Sequence, residues 1–450
     1  MEGKRPLVGF YGDDFTGSSE NLAQFHRNGL RTRLYLRVPS QEALAEAACD
    51  LDVVGFAGTA RALDKSQITA EVFPAFKALQ SLGCTFLQYK ICSTFDSAPQ
   101  VGNFGFAAEQ LAAGGGEYDL VVLAATPDFG RYTAFGNHYA RFGSEIVRLD
   151  RHPSMSNHPR TPMKESDLRR HLADLCSLDF ANIFLPEIRD EATLSERLEN
   201  LLAARKGVVF DGVDNRDLDN IANALWEHHK SRPVFAIAAQ GLAQALGKQL
   251  AKQKNPLDLL DVGTAIAPAS NLLVLSGSCA IQTGRQIDAA VQAGWATLEL
   301  NPLELTDSRA VAHKIEVVKP QIMAHLANER PTIVYTARGH AMDRDRFEDI
   351  PPQLIGEAYA NLMIAARKET GVQRVVLAGG DSSSYAVRQS AAESLTIKVF
   401  DRVQHGHLCE LMGGGLDGLE VLLKGGQVGD DDYFMRVLHG TEKQHGEALR

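Results

Sequence analysis

The stretch Leu7-Val8-Gly9-Phe10-Tyr11-Gly12-Asp13-Asp14-Phe15-Thr16-Gly17 decides how this chain is read. Its apolar start predicts a strand over residues 6–10, and a helical pattern follows over residues 18–28. Two carboxylates, a hydroxyl and two glycines therefore fall where a strand gives way to a helix. In an open α/β sheet, ligands sit in the crevice beyond the carboxyl ends of the strands. Adjacent carboxylates repel a phosphate; they suit hydroxyl groups, which donate hydrogen bonds to them, or a metal ion. A helix N-cap explains one of the two acids but not both in tandem between glycines. The pattern points to a polyol or a sugar acid.

Outward from this stretch the same rhythm repeats. Strands are predicted at 32–36, 51–56, 85–91 and 120–125, with helical patterns at 41–48, 65–82 and 104–113 between them, and further strands at 207–210 and 234–238. A proline-punctuated segment, 251–270, reads as a linker, after which the alternation restarts at 271–275, 296–300, 332–335, 374–377 and 395–400. Alternating strands and helices specify a mostly parallel sheet covered on both faces. The fold class expected is α/β: two α/β domains, residues 1–250 and 271–450, each with a mostly parallel sheet flanked by helices, facing across a cleft. A length of 450 residues is itself more than one core normally holds.

Composition narrows the function. A net charge of −10 leaves no basic excess to neutralise a nucleic-acid backbone, so no nucleic-acid partner is expected. No apolar run reaches the ~18–20 residues that span a bilayer, and the first is too short for a signal peptide, so no membrane association is expected. The six cysteines are scattered without a Cys-x-x-Cys pair, which suits reduced thiols in the cytoplasm.

Two further groups carry chemistry in the first half. Lys90-Ile91-Cys92-Ser93-Thr94-Phe95-Asp96-Ser97 leaves another predicted strand, so Lys90 can balance a carboxylate while Ser93, Thr94 and Asp96 bind hydroxyls. Arg131, in Asp128-Phe129-Gly130-Arg131, can clamp a carboxylate bidentately or lie at a surface turn. The second half is glycine-rich at its strand ends. Ser276-Gly277-Ser278 and Gly379-Gly380-Asp381-Ser382 each join a strand to a helix, where backbone N–H groups can approach phosphate oxygens. Asp381 can hold Mg2+ directly or through water. A third glycine group, Gly413-Gly414-Gly415 with Lys424 through Gly429, can close over a nucleotide. No dinucleotide fingerprint is present, which counts against an oxidoreductase.

Together these residues resemble the four-carbon acid sugar kinases, or tetronate kinases. That family's motifs read here as Asp13-Asp14-Phe15-Thr16-Gly17, Lys90 through Ser97, Ser276-Gly277-Ser278, Gly379-Gly380-Asp381-Ser382 and Lys424 through Gly429, in order. Ser382 stands where the family usually has threonine. The resemblance implies an N-terminal sugar-acid domain, a C-terminal ATP domain, and phosphorylation of the terminal hydroxyl of threonate, erythronate or an oxo-tetronate. It implies nucleotide contacts at Ser276, Gly379–Ser382 and Gly425, and substrate contacts at Asp14, Lys90, Ser93, Thr94 and Arg131. Asp14 is the expected proton acceptor, Asp381 the Mg2+ ligand. A homodimer is compatible with this reading. The alternative is a sensor of the same fold that binds sugar acid and nucleotide without turnover.

Overall fold

Val8–Gly12 forms β1, a strand buried along its whole length, as its uncharged sequence allows. The computed structural model describes residues 6–113, 118–158, 160–263, 265–339, 350–400 and 407–441, apart from the side chains of Ala113 and Asp381. It divides into two units, Met1–Asp261 and Val262–Arg450.

In the first unit β1 is followed by β2 (Thr32–Tyr35), β3 (Val53–Ala57), β4 (Phe86–Lys90) and β5 (Asp119–Leu123). Three short strands come next, β6 (Arg131–Ala134), β7 (Asn137–Phe142) and β8 (Glu145–Arg148), then β9 (Phe180–Ile183), β10 (Gly207–Phe210) and β11 (Val234–Ala238). Eight of these make one parallel sheet in the order β2-β3-β1-β4-β11-β5-β10-β9. Gly12 lies beside Ala57 of β3 on one side and Lys90 of β4 on the other. The chain builds outward through β2 and β3 on one flank of β1, then crosses to β4 on the other. That reversal is a topological switch point, and Asp13 leaves β1 directly above it. The core beneath is aromatic: Tyr11 packs on Tyr89 at 5.5 Å between ring centroids and on Phe76 at 6.2 Å.

The sheet β6-β7-β8 is antiparallel and stands apart from the main sheet. The sequence reading did not foresee it, because strands of four to six residues carry too few alternations to show a period of two. It is pinned to the ends of the main strands. Thr133 and Gly212 exchange backbone hydrogen bonds of 2.9 and 2.8 Å. The Asp211 carboxylate accepts the N–H groups of Phe135 and Gly136 at 2.7 and 2.9 Å.

The second unit contains β12 (Leu273–Ser276), β13 (Ala296–Glu299), β14 (Thr332–Tyr335), β15 (Arg374–Ala378), β16 (Ser394–Val399), β17 (Leu408–Met412) and β18 (Glu420–Lys424). Their order is β13-β14-β12-β15-β18-β17-β16; the first five are parallel, and β17 runs antiparallel to both neighbours. Here too the first strand is central and the switch point falls beside it, between β12 and β15. One expectation is corrected. Gly413-Gly414-Gly415 does not lie with Lys424–Gly429; it begins the turn from β17 into β18, at the opposite end of β18 from Gly425. Its glycines supply the positive φ values of a hairpin connection, 83°, 65° and 79°.

Candidate functional site

At the β1–β4 switch point four charged side chains meet. Asp14 caps the helix Phe15–His26, its Oδ1 accepting from Gly17 N–H at 3.2 Å. Asp13 is 2 % exposed and is gripped by Arg61, whose Nε and Nη2 reach its two oxygens at 3.2 and 2.9 Å. The same Nη2 lies 2.9 Å from Asp14 Oδ1, and Lys90 Nζ lies 3.6 Å from that oxygen. Gly17 leaves room for the pair. A Cβ at this position would stand 1.9 Å from Lys90 Nζ and 2.3 Å from Asp14 Oδ1.

The environment drives the two acids apart. Burial raises Asp13 above the usual carboxylate range despite Arg61. Burial pushes Asp14 the same way, but the Arg61 and Lys90 charges outweigh it and hold Asp14 below that range. Neighbouring carboxylates with divergent proton affinities are a pattern of acid/base sites. Of the two, Asp14 keeps its negative charge to the lower pH.

The loop after β4 supplies the hydroxyls. Thr94 Oγ1 donates to Asp96 Oδ1 at 2.6 Å, with Cys92 Sγ 2.9 Å from the same hydroxyl. Between them Phe95 adopts φ 58°, a left-handed conformation unusual for a bulky residue. It is held there by full burial and an edge-on contact with Phe104 at 4.8 Å. Strain of this kind persists only where packing enforces it, and it concentrates at functional sites. His138 of β7 fixes the loop from the far side. Its Nε2–H donates to the Ser93 carbonyl at 2.8 Å, so Nδ1 accepts from Thr133 Oγ1 at 2.9 Å. Burial pushes His138 down to about 4, which keeps it neutral.

Arg131 opens β6. Its Nη1 donates to the carbonyls of Phe129 and Gly130 at 2.7 and 3.3 Å. Burial lowers its pKa, and Cys92 and Asp96 partly restore it, so Arg131 belongs electrostatically to the same cluster. Of the residues expected here, Asp13, Asp14 and Lys90 form one ion-paired group. Ser93, Thr94 and Asp96 line the adjoining loop, all buried, and Arg131 closes the other flank.

The second unit has a different chemistry. Ser276 ends β12 with its carbonyl accepting from Thr336 N–H at 2.9 Å and Tyr359 OH at 2.6 Å. Gly277 N–H donates to Ala378 O at 2.9 Å, tying the Ser276–Ser278 turn to the Gly379–Ser382 turn. Gly379 sits at φ 118°, open to glycine alone without strain. The helices that follow, Ile281–Gln292 and Gly380–Gln389, both begin without a side-chain cap, leaving their first N–H groups for a ligand. Ser276 Oγ and Ser383 Oγ are buried and unpartnered among the described residues. The Asp381 side chain lies outside the described residues; its backbone is in the first turn of the second helix. Gly425 follows β18, and its carbonyl accepts from Lys424 Nζ at 3.1 Å.

Sequence reasoning missed Arg61, and it placed Lys424 in a glycine group that can close over a nucleotide without assigning chemistry to its amine. Lys424 is 2 % exposed and donates to Thr283 Oγ1 at 3.0 Å, with no carboxylate paired to it among the described residues. Burial pushes it down to about 7. The signal was available: Lys424 closes a buried strand as Lys90 does, and Arg61 lies just beyond the buried strand β3.

A family model described as a sugar-binding N-terminal domain matches residues 8–246, and one described as a nucleotide-binding C-terminal domain matches residues 273–434. A 3-oxo-isoapionate kinase of Paraburkholderia graminis is 33% identical over 96% of this chain and 94% of its own. The chain belongs to the four-carbon acid sugar kinase family. It is a kinase, a phosphotransferase acting on an alcohol group, and its nucleotide-binding domain implies ATP. A 3-oxo-tetronate kinase of Pseudomonas fluorescens is 28% identical to this kinase over 96% of this chain and 97% of its own. The Haemophilus influenzae protein HI1011 shares the fold, with a TM-score of 0.73 at 22% identity over 95% of this chain and 98% of that one.

Proposed function

We propose that this kinase transfers the γ-phosphoryl group of ATP to the terminal hydroxyl of a four-carbon sugar acid: threonate, erythronate or an oxo-tetronate. The relatives named 3-oxo-tetronate kinase support the oxo-acid member of that set. Asp14 carries the reading: an ionised carboxylate, held by Arg61 and Lys90, at the carboxyl ends of parallel strands.

In the proposed reaction Asp14 accepts the proton of the acceptor hydroxyl as its oxygen bonds to the γ-phosphorus and the bridging oxygen departs with ADP. Ser93, Thr94 and Asp96 bind the remaining oxygens, while Lys90 and Arg131 supply the positive charge that an acid requires. Asp13, locked by Arg61, holds that arginine in place. The turns Ser276-Gly277-Ser278, Gly379-Gly380-Asp381-Ser382 and Gly425 hold the triphosphate through backbone N–H groups. Mg2+, when bound, neutralises phosphate charge; Asp381, with the unpartnered hydroxyls of Ser276 and Ser383, would hold it. The proposal places the enzyme in the cytoplasm without a nucleic-acid partner, supported by six free thiols and a net charge of −10. It admits a homodimer. No helix among the described residues is long and apolar enough to cross a membrane.

The test is ATP consumption, with Mg2+, against a panel of four-carbon acids and their 3-oxo forms. At least one acid should drive turnover well above the acid-free rate. An enzyme that binds ADP yet turns over none of them would overturn the substrate assignment.

A further inference from the structure

The cations around the sugar-acid site are not equivalent. Arg61 Nη2 stands 2.9 Å from both Asp13 Oδ1 and Asp14 Oδ1, and Lys90 Nζ stands 3.6 Å from Asp14 Oδ1. Both are already committed to carboxylates of the protein. Arg131 is not. Its Nη1 is tied to the carbonyls of Phe129 and Gly130, which fixes the plane of the guanidinium. The other edge, Nε with Nη2, makes no hydrogen bond or ion pair among the described residues, and Nε is shut off from solvent. Two parallel N–H groups on one edge are the fork that grips a carboxylate with two hydrogen bonds. Asp96, whose charge reaches Arg131, already accepts from Thr94 at 2.6 Å, and no ion pair between the two is present among the described residues.

We propose that Arg131 alone receives the substrate carboxylate, on its Nε–Nη2 edge, and that Lys90 and Arg61 serve the opposite, hydroxyl end by positioning Asp14. This rests on the sugar-acid kinase reading, narrows the two cations offered there to the acid, Lys90 and Arg131, to Arg131, and adds a polarity: the acid end of the substrate lies at β6, the reacting hydroxyl at β1. It also makes Arg131 the residue that distinguishes a sugar acid from the neutral polyol of the same length.

Steady-state kinetics with ATP test the assignment, comparing the best acid of the panel with the matching tetritol. Arg131→Met should raise KM for the acid about 10- to 100-fold, the range for a lost hydrogen bond to a charged group. Its preference for the acid over the tetritol should collapse, and Arg131→Lys should restore only part of it. Lys90→Met should lower kcat for acid and tetritol alike and keep the preference. The reverse pattern, with preference lost in Lys90→Met and kept in Arg131→Met, overturns the proposal. Circular dichroism and urea unfolding of each variant confirm that it is folded. Thermal shift by the acid gives a second readout without turnover: a shift lost in Lys90→Met and kept in Arg131→Met overturns the assignment as well. A wild-type enzyme inert toward every acid would instead refute the substrate class, and the two failures are thus distinct.

Discussion

The ends of β1 and β12 share a backbone and differ in chemistry. After β1, Asp13 N–H donates to Lys90 O at 3.0 Å and Gly12 O accepts from Gly58 N–H at 2.9 Å. After β12, Gly277 N–H donates to Ala378 O and Ser276 O accepts from Thr336 N–H, both at 2.9 Å. Each central strand thus leaves its sheet through the same pair of bonds to its two neighbours. Beyond those bonds the two turns diverge. The first gathers Asp13, Asp14, Arg61 and Lys90, charges that hold one another and present hydrogen-bond acceptors to a hydroxylated ligand. The second carries glycine and serine, two helix N-termini without a side-chain cap and a buried lysine, Lys424, with no carboxylate paired to it among the described residues. By proposal, a common scaffold therefore makes a site for hydroxyls in one unit and for phosphates in the other, through the side chains at the strand exits.

The contrast can be broken most severely at Asp14. Asp14→Asn should lower kcat by about 100- to 10,000-fold, the span for losing a general base, with ADP affinity retained. Asp381→Asn should lower it too; near-normal turnover in both variants would remove carboxylates from the chemistry. Next in size is Arg61→Met, which leaves Asp13 buried without its partner. Urea unfolding should show a loss of about 3–5 kcal/mol, the cost of breaking a buried pair, and Asp13→Asn in the same chain should recover part of it. An unchanged midpoint would mean that Asp13 finds protons or water instead.

Gly379→Ala probes the other turn. Its Cβ would lie 2.9 Å from Ser382 Oγ and 3.2 Å from the backbone of Gly277 and Ser278, at φ 118°. The strain should cost about 1–3 kcal/mol and raise KM for ATP about tenfold or more. The thermal shift produced by the sugar acid should stay as in the wild type. If the acid's shift disappears instead, the division of labour between the two turns is wrong.

The smallest effect concerns Lys424. In the native protein its amine loses its proton near 7, against an ordinary value of 10.5. Between these values the unfolded chain binds the extra proton, so stability rises with pH across the window; below about 7 the full burial penalty is present. Relative to Lys424→Met, the wild type should gain about 1 kcal/mol from pH 7 to pH 8. A flat difference would show that the amine stays charged, against the picture of a lone buried lysine.

Much of this was legible in the chain. The strand-turn-helix units around Asp13, Lys90, Ser276 and Gly379 are written in short apolar runs followed by small or polar residues, a pattern local enough to read directly. Arg61 was not, because nothing near Thr59-Ala60-Arg61 marks it; it matters only because β3 pairs with β1 and brings its exit beside Asp13. The sheet that presents Arg131 was invisible for a related reason, its strands being short and pinned by Asp211, far along the chain. Gly413–Gly415 misled in the opposite direction. A glycine run looks the same whether it approaches a phosphate or turns a hairpin, and only the direction of β18 separates the two.

The amino-acid order by itself determined the class of the fold and the kinds of group at each strand exit, since apolar periodicity and turn chemistry act over a few residues. Which exits meet was decided by tertiary structure alone. Strand order rests on pairings between distant segments, and it is that order which commits Arg61 and Lys90 to carboxylates and leaves one edge of Arg131 unclaimed.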